Sequence, residues 1–134
     1  MTETITNTPN LTFLGLLIPL LPLIGFLVNG LLGKYLPKAL TGWIGSLSVL
    51  ASFICVLLIF KDLSASQSIR IDVFQWIAFG DKEITFGLWI DALTLIMMMV
   101  VTGVGFLIHL YSIGYMHDDE GFTRFFSYLN LFIF

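Results

Sequence analysis

Asp91, Thr102 and His109 can share or exchange protons, and they stand eleven and eighteen residues apart along one apolar run. Helical residues advance about 100° each, so these separations return close to one face, with Met98 and Gly105 near the same line. One stripe then carries nearly every polar group of the run. Ionisable groups in membrane spans usually face a bundle interior or a water-filled path. An imidazole titrates near physiological pH, so His109 is a candidate for passing protons. Eighteen residues rise about 27 Å, which excludes a direct hop between Asp91 and His109. Two readings of each stay open. Asp91 is either a helix cap at the outer face or a member of the stripe; His109 is either a hydrogen-bonded packing element at the inner end or a proton relay. Tyr111 and Tyr115 follow as an interfacial polar cluster, readable as membrane anchors or as part of an interhelical hydrogen-bonding girdle.

Other chemistry is thinly represented. His109 and His117 lie eight residues apart with no cysteine nearby, which is poor metal-ligand spacing. Met97, Met98 and Met99 cover three faces of a helix and suit adaptable packing. Gly103 and Gly105 permit close helix approach without forming a GxxxG pair. Asp118, Asp119 and Glu120 read as a solvated turn ahead of a helix whose N-terminal dipole they favour. Cys55 is alone, so no internal disulfide is expected and a small buried hydrophobe is the simplest reading. The sequence contains no catalytic triad, phosphate loop or dinucleotide fingerprint.

The elements that must position these residues are set by lipid. Of the 134 residues, 57% are hydrophobic and 11% charged, with a mean hydropathy of +0.97. Soluble domains carry nearer a quarter charged residues. Residues 4–33, 39–60 and 92–116 hold no charge when His109 is neutral. Each gap reaches the roughly 20 residues needed to cross a bilayer core of about 30 Å. The N-terminus has no lysine or arginine and its apolar run is too long for a cleaved signal, so the first span is read as retained. A net charge of −3, scattered along the chain, gives no reason to expect a nucleic-acid partner.

The expected fold class is all-α and integral to the membrane, with three full transmembrane helices, a truncated fourth and a β-hairpin-like outer loop. A tail over 1–10 precedes the first helix, 11–33, whose Pro19 and Pro22 should kink it and call for neighbours to cover freed carbonyls. A link over 34–39 leads to the second helix, 40–60. The connection 61–90 alternates in IRIDV and again in EITFGLWID around a Gly-Asp turn, which predicts a hairpin on the outer face. The third helix covers 91–111, a loop 112–121, and a truncated helix 122–134. Thirteen residues rise about 20 Å, too short to cross, and the chain is therefore expected to be the N-terminal fragment of a longer membrane protein. Lys34 and Lys38 concentrate basic charge in the first link, which places that link in the cytoplasm and the N-terminus outside.

The run VTGVGFLIHLYSIGYMHDDEGFTRFFSYLNLF closely resembles the N-terminal region of the largest antiporter-like subunit of respiratory complex I, the subunit L or chain 5 family of proton-translocating NADH-quinone oxidoreductase. LIPLLPLIGFLVNGLLGKYLPKALTGWIG resembles that family's first span and link. FGLWIDALTLIMMMVVTGVG resembles its entry into the third span, with Asp91 at an acidic position. The resemblance implies a multi-pass subunit of the inner (cytoplasmic) membrane, partnered by lipid bilayer and by other membrane subunits of the complex. It implies proton transport driven by quinone reduction elsewhere, through a glutamate in a fifth span and a lysine in a seventh, so no catalytic residue is expected in these spans and the fragment alone should be inactive. No cofactor or metal is expected on this chain; NADH, quinone, FMN and iron–sulfur clusters belong to other subunits. The alternatives are a homologous subunit of a multisubunit cation/proton antiporter or membrane-bound hydrogenase, and a small membrane scaffold or assembly protein.

Overall fold

The computed structural model describes residues 4–5, 9–63 and 67–134. In chain order the elements are β1 (Thr4–Ile5), α1 (Pro9–Leu32), α2 (Lys38–Asp62), β2 (Gln67–Phe79), β3 (Lys82–Ile90), α3 (Ala92–Tyr115) and α4 (Phe122–Ile133). The helices α1, α2 and α3 have 24, 25 and 24 residues and are long and apolar enough to cross a membrane. The all-helical membrane class with a hairpin between the second and third helices is therefore the one observed. At 12 residues, α4 rises about 18 Å.

The helix α1 runs on through both of its internal prolines, and the neighbouring helix shows how. Pro22 has no N–H, so the carbonyl of Ile18, four residues earlier, loses its intrahelical donor. Ser52 of α2 replaces it, its Oγ donating to Ile18 O at 2.8 Å, with a longer contact of 3.3 Å to its own Ser48 carbonyl. In a lipid environment an unpaired carbonyl costs several kcal/mol, so this serine joins the two helices at the point where α1 is weakest. Ser52 is completely buried.

The hairpin of β2 and β3 turns at Gly80 and Asp81, with Gly80 at φ +58°. A positive φ at the first central residue is what a type II′ turn demands. Two register shifts, between Asp72 and Phe74 and between Gln75 and Ile77, break the alternation along β2. Below the first shift the strand alternates in burial, with Ile69 and Ile71 inside and Arg70 outside; above it every residue is exposed. A two-residue strand, β1, pairs parallel with Gln67 and Ser68.

The base of the hairpin docks on the helices through branched aliphatic side chains. Ile69, Ile71 and Ile90 join Leu11 and Ile18 of α1, Cys55, Val56 and Ile59 of α2, and Leu95 of α3 in one apolar core. Gly15 makes the approach possible, because a Cβ there would lie 2.5 Å from Ile71 Cδ1 and 3.0 Å from Ile90 Cδ1. At the opposite end of the bundle, Lys38 Nζ donates to the carbonyls of His117 at 3.2 Å and Asp119 at 2.9 Å. That contact brings the α1–α2 and α3–α4 connections to one side of the bundle.

Candidate functional site

Each of the four helices sends polar side chains into a seam at the Lys38 end of the bundle. From α1 comes Asn29, fully buried, its Nδ2 donating to Thr41 O at 3.1 Å. From α2 comes Ser48, its hydroxyl lying 2.7 Å from Gly45 O and 3.1 Å from Asn130 Oδ1. From α4 comes Asn130, also fully buried. Gly45 is the space that both asparagines use. A Cβ there would lie 2.8 Å from Asn130 Nδ2 and 3.3 Å from Asn29 Nδ2. The two amide nitrogens are thus within two hydrogen-bond lengths of each other.

His109 enters the seam from α3 and is fully buried. Its Nδ1 lies 2.7 Å from Gly105 O. A carbonyl can only accept, so Nδ1 carries the proton and Nε2 of the neutral ring is left as the acceptor. Phe126 of α4 meets the imidazole edge-on with ring centroids 5.9 Å apart, and Asn130, one turn further, is its polar neighbour. Among the described residues Asn29 Oδ1 completes no hydrogen bond, and the Asn130 Nδ2 donor stands beside the His109 Nε2 acceptor as its complementary neighbour. Buried polar atoms in native proteins are nearly always satisfied, so an unpartnered amide oxygen beside this amide–imidazole pair sets the seam apart from ordinary packing.

The remaining residues singled out by spacing fall in different surroundings. Thr102 lies on the buried face of α3 with Leu95, Gly105, His109 and Ser112, and its Oγ1 donates to its own helix at Met98 O, 2.6 Å away. Asp91 caps α3, its Oδ1 accepting from Thr94 N at 2.7 Å. Hydrogen bonding from Thr94 holds its carboxyl below the ordinary aspartate range. Tyr111 and Tyr115 stack on each other with centroids 5.5 Å apart and point outward, 68% and 72% exposed. The structure therefore brings His109 together with Asn29, Ser48 and Asn130, and it keeps Asp91, Tyr111 and Tyr115 apart from them. No group of three or more metal-ligating side chains occurs among the described residues.

Residues 76–126 match the family described as NADH-Ubiquinone oxidoreductase (complex I), chain 5 N-terminus. NADH-quinone oxidoreductase subunit L of Neisseria meningitidis serogroup A / serotype 4A is 37% identical over 122 residues, covering 89% of this chain and 18% of the relative. The subunit L of Rickettsia typhi is 38% identical over 122 residues, covering 90% and 19%. That of Escherichia coli K12 is 40% identical over 116 residues, covering 85% and 19%. The sequence match is to the N-terminus of complex I chain 5. The chain spans less than a fifth of the length of these subunit L relatives. Within the chain 5 match fall Asp91, Thr102, His109, Tyr111 and Tyr115, while Asn29 and Asn130 lie outside it.

Sequence reasoning passed over Asn29, Ser48 and Asn130. The signal was present: VNGLL and YLNLF each set one asparagine amid apolar residues. An asparagine in a span has either a neighbouring helix or an unpaired amide, and that expectation should have been applied to both.

Proposed function

We propose that this chain forms the N-terminal membrane region of an antiporter-like subunit L of a proton-translocating NADH-quinone oxidoreductase, where quinone reduction is coupled to proton transport. The observation that carries the reading is the chain 5 match over residues 76–126, set on three helices long and apolar enough to span a bilayer. In this reading the partners are the other membrane subunits of the complex and the surrounding lipid. The redox groups are held elsewhere, and this region does no redox chemistry of its own. The protein sits in the inner (cytoplasmic) membrane with its N-terminus outside, a placement supported by Lys34 and Lys38 in the first link.

The site residues divide by role. Asp91 fixes the start of α3 at the outer surface; Thr102 and His109 line the face of α3 turned to α2 and α4; Tyr111 and Tyr115 hold the inner end at the interface. The test is purification of an affinity-tagged chain from its native membranes in mild detergent, followed by assay of NADH:quinone oxidoreductase activity in the eluate. Co-elution of that activity is the expected result. Elution with sodium/proton exchange or hydrogenase activity instead would overturn it in favour of those complexes, and elution of the chain alone would favour a scaffold.

A further inference from the structure

A groove of about 500 Å³ opens on the Lys38 side of the bundle, between the end of α1 and the start of α4. Its rim carries Lys34, Glu120 and Arg124, and Asn29 forms part of its wall. The groove therefore has a charged mouth and includes in its wall a buried amide whose Oδ1 has no protein partner among the described residues. Behind Asn29 the polar atoms continue inward: the Gly45 gap holds the Asn29 and Asn130 amides close together, and Asn130 neighbours the His109 imidazole. We propose that groove and seam form a one-ended water and proton access site, entered past Lys34, Glu120 and Arg124 and ending at His109 Nε2.

The geometry explains both the ligand and the single opening. Asn29 Oδ1 accepts from a bound water, while the Asn130 Nδ2 donor and the His109 Nε2 acceptor suit each other directly or through a second water. A proton arriving as hydronium adds to the Nε2 lone pair, yielding imidazolium and water; it leaves by the reverse step. Nδ1 cannot pass it onward, because its own hydrogen is held by the Gly105 carbonyl. His109 is thus a proton store and not a through-relay. No titratable side chain competes for that proton inside the seam. The helix α1 has no charged residue; α2 has Lys38, Lys61 and Asp62 only at its ends and Cys55 in the aliphatic core; α3 has only the outward-facing Tyr111 and Tyr115 besides His109; and α4 has Arg124 and the exposed Tyr128, both on the groove.

This inference stands on the chain's own residues and is independent of which complex the chain joins. The experiment is solid-state NMR of the full chain in lipid bilayers, labelled with ¹⁵N-histidine and carrying His117→Gln so that His109 is the one histidine observed. Polarisation transfer from water to Nε2 is expected, with Nε2 gaining a proton on acidification while Nδ1 stays protonated throughout. Asn29→Leu should reduce the water transfer several-fold, and Asn29→Ser, small and still polar, should keep it, which separates a blocked path from a misfolded protein. Absence of water transfer to Nε2, unchanged transfer in Asn29→Leu, or a ring that never titrates would each overturn the proposal.

Discussion

The two ends of the bundle are held by different chemistry. At the hairpin end, Ile69, Ile71 and Ile90 close against Ile59, Val56 and Leu95, every one of them buried and none polar. At the Lys38 end the contacts run through Asn29, Ser48, His109 and Asn130 around the small residues Gly25 and Gly45. The hairpin base packs onto the ends of α1, α2 and α3 through branched aliphatic side chains alone, with Ile71 and Ile90 closing over Gly15. Between helices in lipid there is no hydrophobic gain, because the tails are as apolar as leucine, and association depends on close packing and hydrogen bonds. One molecule thus closes one end by aliphatic packing and the other by hydrogen bonds between helices.

Four substitutions sharpen or break that contrast. The largest effect is expected from Gly15→Leu, whose side chain has no room beside Ile71 and Ile90. Undocking the hairpin should cost about 1–3 kcal/mol, the usual range for overpacking, and limited proteolysis of 67–90 should accelerate. If the rate is unchanged, the aliphatic base does not hold the hairpin. Ser52→Ala follows, since it strands the Ile18 carbonyl freed by Pro22. A loss of about 1–2 kcal/mol is expected in a bilayer unfolding equilibrium, with hydrogen exchange faster around residue 18. Gly80→Ala forces a side chain into the left-handed region and should weaken the hairpin by about 1 kcal/mol without touching its base. The smallest is Asp91→Asn, which keeps a cap but removes the charge. Because the folded-state carboxyl titrates below its unfolded value, its stabilisation is present above the ordinary aspartate range and fades as pH falls through the folded value. Exchange of the first α3 amides should quicken in acid in the parent chain and lose that dependence in the variant.

Much of the fold was legible because lipid constrains it so tightly. Charge gaps over 4–33, 39–60 and 92–116 required spanning helices, and the proline pair called for a partner helix, which Ser52 supplies. The Gly-Asp turn and the alternation around it indicated the hairpin. The candidate site was read less well, for a physical reason. Periodicity along α3 identifies which residues share its face, and Thr102 and His109 do share one. It says nothing about what the other three helices place opposite them. Asn29 and Asn130 are 101 positions apart and meet only because Gly25 and Gly45 let the helices close. Asp91 lies on the same helical line as His109 and caps α3, one of the two readings its place at the helix start allowed.

The Lys38 contact carries a consequence for biogenesis. Its two acceptor carbonyls belong to His117 and Asp119, which are synthesised some eighty residues later. The first two helices are therefore made with that ammonium unclasped, although Asn29 can already bond to Thr41 between them. Only when the second pair of helices arrives can the latch close and the polar interior be sealed, so closure of this bundle is a late event in its assembly.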